Sequence, residues 1–124
     1  MTWSRHRLRS SDDFRVVTRR GTRAARSHVV VHLAVLPDGP AAPRVGFVVS
    51  KRIGNAVVRN LVTRRLREII RPQLAELPEG TSIVIRALPG IADAPFATLR
   101  AQVYDAVDAA VRKYAARHTR GLGA

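Results

Sequence analysis

Between Arg44 and Arg71 the chain sets eight basic residues against one acid, Glu68, a net charge of +7 in a single stretch. Wound at about 100° per residue, Arg59, Asn60, Thr63, Arg64, Arg67 and Arg71 fall on one side of a helix. Val58, Val62, Leu66 and Ile69 fall on the other. Each phosphate that such an array neutralises releases counterions; the excess of arginine over lysine, twenty to two, would suit bidentate phosphate contacts but is read as the skew of a GC-rich genome. Just before this helix, Lys51-Arg52-Ile53-Gly54-Asn55 supplies a glycine able to adopt positive φ, then an asparagine placed to cap a helix beginning near Ala56. The free N–H groups and partial positive charge of a helix start, with Lys51 and Arg52 beside them, make a place for an anion.

Other chemistries find no residues to carry them. A nuclease centre needs clustered carboxylates or an acid and base within reach of each other, whereas the nine acids are scattered through the chain. His6, His28, His32 and His118 have no metal-ligand spacing, there is no cysteine, and no phosphate-binding loop or serine elbow occurs. Glu68 is expected to pair with Arg64 one turn back. Any cleavage the protein takes part in must draw its reacting groups from something else.

The elements that must position the basic residues follow from patterning. Val45, Phe47 and Val49 alternate with Arg44, Gly46, Val48 and Ser50, a strand buried on one side that stops at Ser50 and leads into the basic turn. The basic helix bends or frays at Pro72, and Arg65, at the edge of its apolar stripe, packs its stem and extends its head to water. Upstream, Ser10 or Ser11 before Asp12-Asp13-Phe14 starts a short helix that Gly21 ends. A short strand through Thr22–Arg26 precedes a longer one over His28–Leu36. Val29, Val31, Leu33 and Val35 of that strand face the core, and His28, Val30, His32 and Ala34 the other way. Residues 37–43 form a turn. Thr81–Ala87, apolar on both faces, is a central strand, and Phe96, Leu99, Val103, Ala106, Val107, Ala110 and Tyr114 share one face of a last, packing helix. The order α-β-β-β-α-β-α indicates a single α+β domain over residues 1–124, with helices largely on one sheet face and the other able to stay open. Residues 1–10 are expected to be a flexible basic arm, with Trp3 a loose anchor, and residues 118–124 a frayed tail.

The +13 total divides unevenly, +6 in residues 1–26, +7 in 44–71 and zero elsewhere, as a polyanion-binding surface requires. No apolar run approaches the roughly 20 residues of a membrane span, and the first ten residues lack the apolar core of a secretory signal. A cytoplasmic protein without a membrane partner is expected.

Lys51, Gly54-Asn55-Ala56-Val57, Arg59-Asn60, Arg64 and Arg67-Glu68 together resemble the signature of the protein subunit of bacterial ribonuclease P. Arg7-Leu8-Arg9, Asp13-Phe14, Gly21-Thr22 and Ile83-Val84-Ile85-Arg86 extend the resemblance over nearly the whole chain. It implies a two-layer domain whose mixed four-stranded sheet contains an unusual left-handed β-α-β crossover. It also implies an accessory subunit that assists a catalytic RNA in endonucleolytic removal of the 5' leader from precursor tRNA, one protein per RNA. The reaction's Mg2+ would be bound largely by RNA, with no cofactor intrinsic to the protein. By resemblance Lys51, Arg52, Asn55, Arg59, Asn60, Arg64, Arg67 and Arg71 bind RNA, and a cleft near Phe14, Thr18, His32, Phe47 and Arg86 holds the leader. Read from the residues alone, Phe14 is by default a core residue and His32 a structural one. Two positions depart from the family: Thr18 stands where it has a second cleft aromatic, and Thr63 where it commonly has lysine, which removes one phosphate contact. A structural RNA-binding protein of the ribosome is the competing reading.

Overall fold

A computed structural model describes residues 6–36 and 42–123, with side chains described as far as Arg117. Trp3 and most of the 37–43 turn lie outside the described residues. The chain forms α1 (Ser11–Arg20), β1 (Thr22–Ala25), β2 (Val29–Val35), β3 (Arg44–Val48), α2 (Ala56–Leu74), β4 (Thr81–Ala87) and α3 (Phe96–Gly123). Single 3-10 turns at Lys51–Ile53 and Ile91–Asp93 precede α2 and α3.

The strands lie in the order β1-β2-β4-β3, with β1 and β4 antiparallel to β2 and β3 parallel to β4. β4 takes an inner place because it is apolar on both sides: Ile83 and Ile85 enter one core cluster, and Val84 enters the other. The larger cluster joins Val29, Val31 and Leu33 of β2 to Val62, Leu66, Ile69, Ile70 and Leu74 of α2 and to Leu99, Val103, Ala106, Val107 and Ala110 of α3. This is the expected helix layer.

The opposite sheet face is covered only in part. Val17 of α1, fully buried, packs there with Leu8, Ala34, Leu36 and Val84, so α1 lies across part of that face. Ser10 caps α1, its Oγ accepting from the N–H groups of Asp12 and Asp13 at 3.2 and 3.4 Å. Gly21 ends the helix with extended φ; glycine is needed there because a Cβ would lie 2.4 Å from the Val17 carbonyl oxygen and 2.5 Å from that of Leu33.

Other boundaries differ from expectation. α2 runs through Pro72 to Leu74, since a proline this near the end removes one intrahelical bond while burial of Ile69, Ile70 and Leu74 holds the last turn. β3 closes at Val48, before the 3-10 turn whose Ile53 N–H donates to Ser50 O at 3.0 Å. α3 continues through the residues expected to fray. His28 precedes β2 and is held by Gln102 of α3, whose Oε1 accepts from the His28 main-chain N–H at 2.9 Å and whose Nε2 donates to His28 Nδ1 at 3.0 Å.

Candidate nucleic-acid interface

The basic helix is positioned by the turn before it. Gly54 sits at φ 156°, ψ −168°, a conformation open essentially only to glycine, and an added Cβ would lie 2.9 Å from Val58 Cβ. Asn55 then caps α2, its Oδ1 accepting from Val58 N–H at 3.0 Å. The cap occupies one lone pair of Oδ1 and leaves the exposed Nδ2 group without an internal bond among the described residues.

The polar face of α2 divides in two. Arg59, Asn60, Thr63 and Arg67 line a pocket of about 550 Å³, whereas the exposed Arg64 and Arg71 lie outside it. Arg59 and Arg67, both half-buried, share the lining of this hollow with Val45, Phe47 and Val49. Thr63 donates its hydroxyl to Arg59 O at 2.9 Å, so a backbone carbonyl occupies it where a longer cation would have reached out. Val58, Val62, Leu66 and Ile69 turn inward as expected, joined by Ile70 and Leu74, and Arg65 is half-buried at their margin. Glu68 and Arg64, both exposed, do not form the expected ion pair; solvated side chains in that position gain little from pairing.

The far wall of the pocket comes from the supposed arm. His6 Nδ1 donates to Pro43 O at 2.7 Å, Leu8 N–H donates to Val45 O at 3.0 Å, and Arg7 bridges in parallel to Val45. From His6 onward the segment is thus docked along the free edge of β3. Leu8 is buried toward α1, while Arg7 and Arg9 line the pocket opposite α2. The alternation Arg7-Leu8-Arg9 was the available signal for this edge segment, but three residues are too short to read as a strand.

Phe14 closes the pocket from the α1 side. Its ring stands over Gly46, where a Cβ would lie 2.1 Å from Phe14 Cζ, so the missing side chain makes the ring's seat. Phe47 points the other way: it pairs with the buried Ile85 and packs partly against the main core. It lines the pocket from the α2 side and does not share a sheet face with Phe14, His32 and Arg86, as the alternation of a strand demands. Thr18 is also absent from the pocket lining; its hydroxyl is turned to the carbonyl oxygens of Phe14 and Arg15, at 3.0 and 3.1 Å.

On the face beyond α1, strand register sets out two cross-sheet rows: Arg23, His32, Val84 and Gly46, then Ala25, Val30, Arg86 and Val48. His32 is buried, and its Nδ1 has no hydrogen-bond partner. Burial, with the nearby Arg86 and Arg23 charges, holds its pKa below the ordinary histidine value. The ring is accordingly neutral at pH 7. Arg86 is exposed and joins Arg52, Val48 and Ser50 around a smaller hollow of about 160 Å³. Arg52 therefore belongs with the sheet-face groove, apart from the α2 pocket, and Lys51 stands exposed beside it. The sequence did not assign Arg7 or Arg9 to a site, because only the docked edge brings them to the pocket, nor Arg23, which strand pairing sets beside His32 at the outer edge of the sheet.

Among the described residues no group of three or more His, Cys, Asp or Glu side chains could hold a metal ion. No described helix is long and apolar enough to cross a membrane. The arrangement is suited to gripping a polyanion, with aromatic Phe14 between two arginine-rich surfaces.

Comparison with known proteins agrees with that chemistry. A family model described as Ribonuclease P matches residues 3–111. The ribonuclease P protein component of Acidothermus cellulolyticus is 48% identical over 99 residues, covering 80% of this chain and 82% of the relative. That of Kocuria rhizophila is 47% identical over 112 residues, covering 90% and 97%. Among solved structures, the Thermotoga maritima RNase P protein superposes with a TM-score of 0.67 at 27% identity, over 80% of this chain and 92% of that one. The Staphylococcus aureus RNase P protein, at 24% identity, shares the fold with a TM-score of 0.75 over 85% and 94% of the two chains. Matched along most of its length by sequence and by fold, the chain belongs to the ribonuclease P protein family.

Proposed function

We propose that this chain is the RNA-binding accessory subunit of a cytoplasmic ribonuclease P and that its two basic surfaces divide the work. The α2 surface, with Arg59, Asn60, Arg64, Arg67 and Arg71, contacts and orders the catalytic RNA. The groove from Phe14 across His32 and Arg86 to Arg52 and Lys51 holds the single-stranded 5' leader of precursor tRNA. The observation that supports this division best is the seat of Phe14 over Gly46, where one aromatic ring borders both the α2 pocket and the open part of the sheet face. Stacking on such a ring contributes about 1 to 3 kcal/mol per base, and sequence is not required for it.

The protein's own contribution to cleavage is electrostatic and positional. Arginines on both surfaces neutralise phosphates that otherwise repel, which tightens substrate binding and lowers the magnesium concentration the RNA needs. Magnesium would supply the metal chemistry of the reaction, held largely by the RNA; in keeping with this reading, no donor cluster among the described residues could hold a metal ion. His32, neutral and buried, gives the groove a floor that adds no charge of its own.

Cleavage of a precursor tRNA at low magnesium by protein alone, by bacterial ribonuclease P RNA alone and by both together tests the proposal. Cleavage at the mature 5' end in the combined mixture alone is the expected result. A combination that behaves like RNA alone, despite tight binding, would make the protein a structural RNA binder. Cleavage by protein alone would refute the assignment of the reacting groups to RNA.

A further inference from the structure

A third basic patch lies at the outer edge of the sheet, next to His32 and beyond the proposed groove. β1 is an outer strand, and Arg23, exposed, stands on it in the same row as His32. From the other side of the sheet, α3 reaches round this edge: Lys113 Nζ donates to Arg23 O at 2.7 Å, and Arg117 donates to Arg20 O at the end of α1, also at 2.7 Å. Arg19 is exposed in the same last turn of α1.

A plainly structural role accounts for part of this. Lys113 covers an edge-strand carbonyl, and Arg117 satisfies a carbonyl at a helix C-terminus. Each of those roles uses one hydrogen bond, while an ammonium has three donors and a guanidinium five. Among the described residues no carboxylate pairs with the patch: Asp105 pairs with Arg26 and Asp108 with Arg112, and the sequence holds no Asp or Glu after Asp108. Arg19, Arg23, Lys113 and Arg117 form no ion pair among the described residues, and strand pairing sets Arg23 beside His32, so the row that crosses the sheet at His32 ends on a cationic edge.

We infer that the leader track continues across the sheet and around the β1 edge, and that Arg19, Arg23, Lys113 and Arg117 hold phosphates of leader nucleotides distant from those at Phe14. This rests on the proposed leader groove and extends it. Strands about 4.8 Å apart put β1 about 14 Å from β3, and a stacked strand of about 3.4 Å per nucleotide covers that in about four nucleotides. Leaders shorter than this end before the patch; longer ones reach it.

The test uses holoenzyme reconstituted with bacterial ribonuclease P RNA and two precursors, with leaders of about three and about twelve nucleotides, a choice set by that spacing. Wild-type protein is compared with Arg19→Gln/Lys113→Gln. The longer leader should bind more tightly to wild type, and the double variant should lose about fivefold on it, the worth of two exposed ionic contacts. Its salt-dependence slope should fall by about 1.4, as expected for two phosphates of a single strand. Affinity and cleavage of the short-leader precursor should not change. Arg23→Gln, whose side chain makes no internal hydrogen bond, repeats the test without disturbing the tie between α3 and β1. Equal losses on both precursors would assign the patch to the catalytic RNA, and no loss on either would leave it a structural edge cover; either result overturns the inference. Failure of the protein to stimulate cleavage of even the short-leader precursor would instead remove the proposed function, and the inference with it.

Discussion

Gly46→Ala is the sharpest perturbation of the site, because it moves a ring without removing it. The new methyl would lie 2.1 Å from Phe14 Cζ and 2.6 and 2.9 Å from the two Cε atoms, so the ring must leave its seat. The backbone of β3 needs no change, since no positive φ is involved at Gly46. Overpacking of this kind costs about 1 to 3 kcal/mol of stability. Displacement of the ring should also remove a stacking contact of about 1 to 3 kcal/mol, a loss of roughly 5- to 150-fold in affinity for precursor over mature tRNA. The assay is equilibrium binding of both tRNAs to reconstituted holoenzyme, with urea unfolding of the free protein measured alongside. Phe14→Ala should produce a loss of similar size, and the double variant little more than either alone, because the two changes remove one contact. A Gly46→Ala protein that is less stable yet discriminates normally would refute Phe14 as a leader platform and return it to the core, where it packs beside Leu8 and Val17.

Other surfaces give independent tests. Arg59→Ala and Arg67→Ala should each weaken binding to the catalytic RNA and lower the salt-dependence slope by about 0.7 to 0.9; unchanged slopes in filter binding would place the RNA elsewhere. Asn55→Ala should lower stability by about 0.5 to 2 kcal/mol through loss of the α2 cap, read as a lower urea midpoint at unchanged m. Because the folded state lowers the pKa of His32, the unfolded chain binds that proton more readily. The stability this residue contributes is therefore full above the ordinary histidine value of about 6.5 and is lost as pH falls below it, through the folded value. Stability should thus decline from pH 7 toward pH 5, and His32→Gln should flatten the decline; identical pH profiles by urea unfolding would refute the burial argument.

Local chemistry was legible in the chain because it depends on neighbours in sequence. The 3.6-residue period sorted Val62, Leu66 and Ile69 from Arg59, Arg64 and Arg67, and Gly54-Asn55 announced a turn and cap that form as read. The strand apolar on both faces had to be internal, and β4 is. The same kind of reading fails wherever two distant segments must meet. Nothing local says that His6–Leu8 docks on the edge of β3, that α1 crosses the second sheet face, or that β4 enters between β2 and β3. Those choices are made by burial of Leu8 and Val17 and by hydrogen bonding of strand edges, which pay no regard to sequence distance.

The composition of the site, arginines on one helix face beside a glycine turn, was determined by sequence alone, because periodicity and capping are local. Its partition was decided only by tertiary structure. A strand's side chains alternate about the sheet plane, so once β3 pairs with β4, Phe47 falls to the α2 side and Gly46 to the side of Phe14. α2 packs beside that edge, so Arg59 and Arg67 line a pocket while Arg64 and Arg71 remain outside it.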